Sequence, residues 1–290
     1  MGGYFVRRDS SNPLYRKVLA RFVHMATASG VTQAVFPEGG LTRDGSLRPP
    51  KLGLLSYMVS GFDPQGGRDI LFVPVGLNYD RVFEDRVLTA AAATPDGQKP
   101  RFTFSPGVLV SYLLRGVWLR LTGRWHRYGY ACVSFGHPLS LRDYVTSKGI
   151  DFRSLPEAQR FAAIEQLGYR LLDEVGRVVP ALPVSLVASA LLAAGDKGLS
   201  GFELKGAVYA LIARLQAVGA HVHIPRQAME YAVDFGLRNL KERHLVLEED
   251  GILKVAANEQ AVLAFYANAI GHLLAKSPAP AAAPALVPAQ

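Results

Sequence analysis

Apolar positions along this chain recur with two different periods, and the switching between them sets the expected architecture. Leu14, Val18, Phe22 and Ala26 fall at four-residue steps and predict a helix. Asn12 is its cap, Pro13 its first-turn residue and Gly30 its stop. Val31 to Phe36 then reads as a strand, and Pro49-Pro50 opens a helix carrying Leu52, Leu55 and Val59. Ile70 to Leu77 is an unbroken apolar run, the pattern of a strand buried on both faces, and YACVSFG at 130–136 is another. Gly3 to Arg8 is short and extended. This alternation predicts an α/β layer fold with a largely parallel sheet.

From Ser154 the pattern becomes mainly helical. One helix should run from Ser154-Leu-Pro-Glu157 to about Val179. Ser200 and Glu203 have capping-box spacing ahead of Leu204, Val208, Leu211 and Leu215, with Gly219 as stop. Pro225 should start a further helix, residues 244–255 a hairpin around Asp250-Gly251, and Asn258 a last helix to about Lys276. The expected division is an α/β domain over 1–150, a helical domain with a small hairpin over 154–275, and a disordered Pro/Ala tail over 276–290.

Composition narrows the function classes. With 49% apolar and 19% charged residues in 290, the chain has a sizeable core and is no solvating coil. Its net charge of +8 favours anionic partners. A single cysteine, Cys132, excludes an internal disulfide and reads as a buried structural thiol. The seven histidines form no cluster with metal-ligand spacing, so no metal is expected. No leader-like segment and no charge-free apolar stretch of about 20 residues is found, so neither a signal peptide nor a membrane span is expected. Residues 106–127 interleave Arg115, Arg120 and Arg124 with Trp118 and aliphatics, which suits a helix lying in a membrane interface; the alternative is a core helix with a solvated basic face. His137, before Pro138, reads as a structural turn residue.

The chemistry concentrates in FPEGGLTRDG, residues 36–45. Gly39 and Gly40 let backbone approach a ligand closely, Thr42 adds a hydroxyl, and Arg43 offers a planar fork for phosphate oxygens. Glu38 is the odd member, because a carboxylate beside an anion repels it unless it is paired. Taken alone, the pattern also fits an ordinary surface turn.

Three blocks in order, GGYFVRR (2–8), FPEGGLTRDG and ILFVPVGLNYDRV (70–82), resemble blocks of the bacterial-type, membrane-associated glycerol-3-phosphate acyltransferase family. RPPKLGLL, YACVSFGHPLSLRDYV, PVSLVASALLA and AFYANAIGHLL resemble it too, so the likeness runs over residues 2–275. It implies an αβα acyltransferase core followed by the helical domain. It further implies that Arg8, Glu38, Gly39, Gly40, Thr42, Arg43, Lys51 and Pro74 serve the acceptor, glycerol 3-phosphate. The implied donor is acyl-CoA or acyl carrier protein, no tightly bound cofactor is implied, and the implied location is peripheral, on the cytoplasmic face of an anionic membrane.

Two departures follow. Leu41 stands where that family usually has Arg. The family's His-x4-Asp block, whose histidine is the general base, has no counterpart: no histidine here is followed five positions later by Asp. The chain is therefore expected to be a truncated copy, inactive alone, with a non-catalytic ligand-binding paralogue as the alternative. A second rival is a winged-helix nucleic-acid-binding protein, suggested by two helices and a hairpin, although that helix carries a net charge of only about +1.

Overall fold

The computed structural model describes residues 11–93 and 129–277. Contacts divide the chain into two units that interleave in sequence: Met1–Leu41, Arg48–Val75 and Phe135–Val178 form the first, Thr42–Leu47, Gly76–Ser134 and Val179–Gln290 the second. Arg8, the Gly3–Arg8 segment, the 106–127 segment and the tail beyond Ser277 lie outside the described residues.

In the first unit, helices Pro13–Ala28, Leu52–Val59, Leu141–Lys148 and Glu157–Arg177 enclose a core of Val23, Val59, Leu141, Phe152, Ile164 and Leu167. Asn12 caps the first helix by accepting from the backbone N–H groups of Leu14 and Tyr15, with Pro13 at its first position. Its core-facing row differs from the one the four-residue pattern picks out. Val23 is fully buried, whereas Leu14, Val18, Phe22 and Met25 are exposed. Both faces of this helix are apolar, so periodicity alone does not say which one packs.

The sheet departs from expectation. Val31–Phe36 joins no ladder, and Val31, Val35 and Phe36 are exposed. The Ile70–Leu77 run is not one buried strand. It splits into Leu71–Phe72 and Val75–Tyr79, because Pro74 between them has no N–H to give a ladder. Burial then alternates, with Val75, Leu77 and Tyr79 outward and Gly76 and Asn78 inward. Ala131–Phe135 is likewise half-exposed, with Val133 and Phe135 uncovered.

Among the described residues the named strands pair antiparallel, and one isolated bridge, Ala181 to Val222, is parallel. Leu71 faces Ser140 and Phe72 faces Leu139. Val75–Tyr79 pairs with Ala131–Phe135, and at its ends Asp80 N–H donates to Tyr130 O at 2.9 Å and Gly136 N–H to Pro74 O at 2.8 Å, which fixes opposite directions. The expected parallel sheet needed a helical crossover from one strand to its neighbour. Val31–Phe36, the segment after the first helix, was that neighbour and is unpaired.

The second unit is built around helix Pro183–Ala194, apolar on all sides and buried along nearly its whole length. Helices Gly201–Ala217, Met229–Glu242 and Gln260–Asn268 surround it. Strands Leu199–Ser200, Ile252–Val255 and Val246–Glu249 form a small antiparallel sheet with the last pair as the hairpin, Asp250 and Gly251 both at positive φ in its turn. The Ser200–Glu203 capping box forms as expected. Two helix starts differ. Pro225 begins a single 3-10 turn, because Arg226 and Gln227 take left-handed backbone angles, and the α-helix starts at Met229. Asn258 is not a cap; the last helix begins at Gln260 and is interrupted before Gly271–Lys276.

Candidate functional site

The Glu-Gly-Gly loop closes on itself within the first unit. Lys51 N–H donates to Pro37 O at 2.7 Å, and Arg48 N–H donates to Glu38 Oε2 at 2.8 Å. The carboxylate that looked repulsive therefore holds the loop shut through a charge-assisted bond to backbone. Gly39 is required here twice over: its φ is +66°, and a Cβ would fall 2.7 Å from Lys51 Cγ. Lys51 is exposed at this rim. Arg48 turns its guanidinium back, Nη1 donating to Leu41 O at 3.2 Å. Sequence reasoning did not single out Arg48, a cation seven residues after Leu41 in the same loop.

Thr42 and Arg43 belong to the second unit. The Thr42 hydroxyl lies 2.9 Å from Ser46 O and 3.1 Å from Asp44 Oδ1, so it is engaged in its own turn. Burial would raise the Asp44 carboxyl, but the Ser46 N–H and the Thr42 hydroxyl hold it below its ordinary value. This turn is seated on helix Gln260–Asn268: Asn268 Nδ2 donates to Asp44 O at 2.8 Å, and Gly45 passes so close that a Cβ would meet Phe265 O at 1.9 Å. Arg43 is exposed.

Pro74 is buried in the first unit, its ring against Gly136. Beyond it, the block's polar residues do structural work in the second unit. Asn78 Nδ2 donates to Pro180 O at 2.8 Å. Asp80 accepts from Val184 N–H at 2.9 Å and Tyr130 N–H at 3.0 Å, and so caps the buried helix Pro183–Ala194, which has no side-chain cap of its own. Burial pushes the Asp80 carboxyl up to about 6 against those two donors. Asp85, Arg243 and Tyr266 form a second buried polar group: Tyr266 donates to Asp85, and it accepts from Arg243 Nη1 at 2.7 Å and Val82 N–H at 3.1 Å. Burial raises the Tyr266 phenol to about 12.

Arg8, Arg115, Trp118, Arg120 and Arg124 lie outside the described residues. His137 is exposed after its strand. Among the described residues no helix is long and apolar enough to cross a membrane.

The family model described as the glycerol-3-phosphate acyltransferase C-terminal region matches residues 118–283, and one described as acyltransferase matches residues 1–78. A glycerol-3-phosphate acyltransferase of Pseudomonas fluorescens is 26% identical over 94% of this chain and 32% of its own length. One of Aeromonas hydrophila is 27% identical over 94% of this chain and 33% of its own length. The chain thus spans about a third of the length of these relatives. With a matching C-terminal region over more than half of the chain, the protein belongs to the glycerol-3-phosphate acyltransferase family.

Proposed function

We propose that this chain carries the acceptor side of an acyl transfer from acyl-CoA or acyl carrier protein to the sn-1 hydroxyl of glycerol 3-phosphate. In that reaction the acceptor oxygen bonds to the thioester carbonyl carbon, the carbon–sulfur bond breaks, and the thiol leaves with a proton. Of the acceptor residues that the resemblance implies, Arg8, Glu38, Gly39, Gly40, Lys51 and Pro74 belong to the first unit, where Arg48 joins them; Thr42 and Arg43, of the second unit, are kept on the resemblance alone. The observation that carries this reading is the closed loop in which Glu38 is spent on the Arg48 N–H. The side chains of Arg48 and Lys51 are then the cations that the first unit's part of the loop offers to a phosphate dianion, and Arg48 replaces the charge absent at Leu41.

No histidine of the 290 residues stands in a His-x4-Asp arrangement, so the hydroxyl proton has no family-type base here. The chain binds acceptor without transferring acyl groups at a measurable rate by itself. Calorimetric titration with glycerol 3-phosphate tests this. Binding is expected, weakened about tenfold in Arg48→Gln and in Lys51→Gln. No heat from the parent chain, or variants that titrate like it, would sink the assignment, and lysophosphatidate made by the purified chain would sink the inactivity. The location proposed is peripheral, on an anionic lipid surface. Helix Pro13–Ala28 supports it, with exposed Leu14, Val18, Phe22 and Met25, the cations Arg16, Lys17 and Arg21, and no acidic residue.

A further inference from the structure

One cavity uses none of the acceptor residues. It lies within the second unit and has a volume of about 540 Å³, within the rough range of 300–1,000 Å³ typical of small-molecule sites. Its polar and aromatic lining comes from Tyr130, His223, Arg226, Gln227 and Tyr231, and no carboxylate among the described residues lines it.

Three features of that lining point to a ligand. The Arg226 guanidinium carbon sits 4.2 Å from the centre of the Tyr231 ring. Arg226 and Gln227 both hold left-handed angles, φ +58° and +55°, a conformation that side-chain-bearing residues rarely adopt in succession. The His223 ring meets Tyr130 edge-on at 4.8 Å, and its Nε2 is buried with no hydrogen-bond partner among the described residues. A buried ring nitrogen left without a partner is destabilising unless something bonds to it.

The chemistry selects the ligand class. A fixed guanidinium with no nearby carboxylate in the lining favours an anion and rejects a quaternary ammonium. Two tyrosine rings favour a planar partner. The exposed Gln227 amide offers hydrogen bonds to ring edges or hydroxyls, and the His223 ring could join it by turning its buried Nε2 toward the cavity. Burial, with His221 nearby, lowers the His223 pKa, so the imidazole stays neutral at pH 7 and the lining carries one permanent positive charge.

We propose that this cavity binds a nucleoside phosphate, its phosphate on Arg226 and its base against the tyrosine rings. The adenosine phosphate end of coenzyme A is one source of that chemistry and a free nucleotide is another. The first identification rests on the acyl-transfer reading; the binding itself does not.

Calorimetric titration of the 290-residue chain with adenosine monophosphate is expected to saturate. Arg226→Gln should weaken binding by about tenfold or more, and Tyr231→Leu by about threefold to tenfold. Arg226 is exposed, so its replacement leaves the fold in place, which circular dichroism verifies. Displacement of the bound nucleotide by coenzyme A would support the donor end as occupant. A bound nucleotide that coenzyme A leaves in place would support a free nucleotide. No heat up to about 10 mM nucleotide, or Arg226→Gln titrating like the parent, overturns the proposal. Glycerol 3-phosphate titrated in parallel reports on the acceptor reading separately.

Discussion

Asp80 shows how a side chain that no local pattern singles out can hold a distant element in place. It lies in a block, residues 70–82, whose apolar run has the pattern of a doubly buried strand. Its inward neighbours are in fact Gly76 and Asn78, and it caps a helix more than a hundred residues away in sequence. No local pattern carries that information, because the partner N–H groups of Val184 and Tyr130 arrive through tertiary packing. The consequence is a pH dependence with a definite sign. A carboxyl raised to about 6 holds its proton more tightly in the native state than in the unfolded chain. The associated stability is complete below about pH 4 and is lost as pH rises through about 6. Unfolding by urea should therefore show the parent roughly 2 kcal/mol more stable at pH 4.5 than at pH 7 through this group, with a flatter profile in Asp80→Asn. A parent profile as flat as the variant's would show that the two N–H donors fully offset burial.

Elements were legible where local chemistry decides and illegible where pairing does. Asn12-Pro13, the Ser200–Glu203 box and the Asp250-Gly251 turn each satisfy their own backbone groups, and each formed as read. Val31–Phe36 had the composition of a strand but finds no ladder, since a strand exists only by virtue of its neighbour. Within the candidate site, the loop was legible but its closure was not. Nothing in Glu-Gly-Gly says that Glu38 will take the N–H of a residue ten positions later. The other half of the loop is fixed by packing, and this can be tested. Gly45→Ala puts a methyl against Phe265 O at a backbone angle that alanine resists, so the variant should lose about 2–4 kcal/mol. Helix Gln260–Asn268 should respond likewise to its buried polar end. Tyr266→Phe leaves Asp85 and the Val82 N–H each short of a partner, at about 1–3 kcal/mol. Urea midpoints measure both, and midpoints within error of the parent would mean these contacts relax without cost.

At the scale of the molecule, the strands and helices of the second unit take the winged-helix order, so topology alone would keep a nucleic-acid reading alive. The charges of its described residues argue against that reading. Of the cations on and after helix Met229–Glu242, Arg243 is buried with Asp85 and Lys241 is paired with Glu248. Lys205, on the preceding helix, is held between Glu230 and Asp234. The hairpin turn adds Glu249 and Asp250, so the wing would meet a phosphate backbone with like charge. With a net charge of +8, an anionic lipid surface is the partner that matches the exposed apolar row of helix Pro13–Ala28 with its three cations. Vesicles containing phosphatidylglycerol should co-sediment the chain and pure phosphatidylcholine vesicles should not, while duplex DNA at physiological salt should leave its anisotropy unchanged. Replacing Leu14 and Phe22 by Ser should reduce vesicle binding by about tenfold, the loss expected when two exposed apolar side chains leave an interface. Salt-sensitive DNA binding together with indifference to vesicles would reverse the assignment. That outcome would mean that the ion pairs of Lys205, Lys241 and Arg243 open in solution and free those cations for a phosphate backbone.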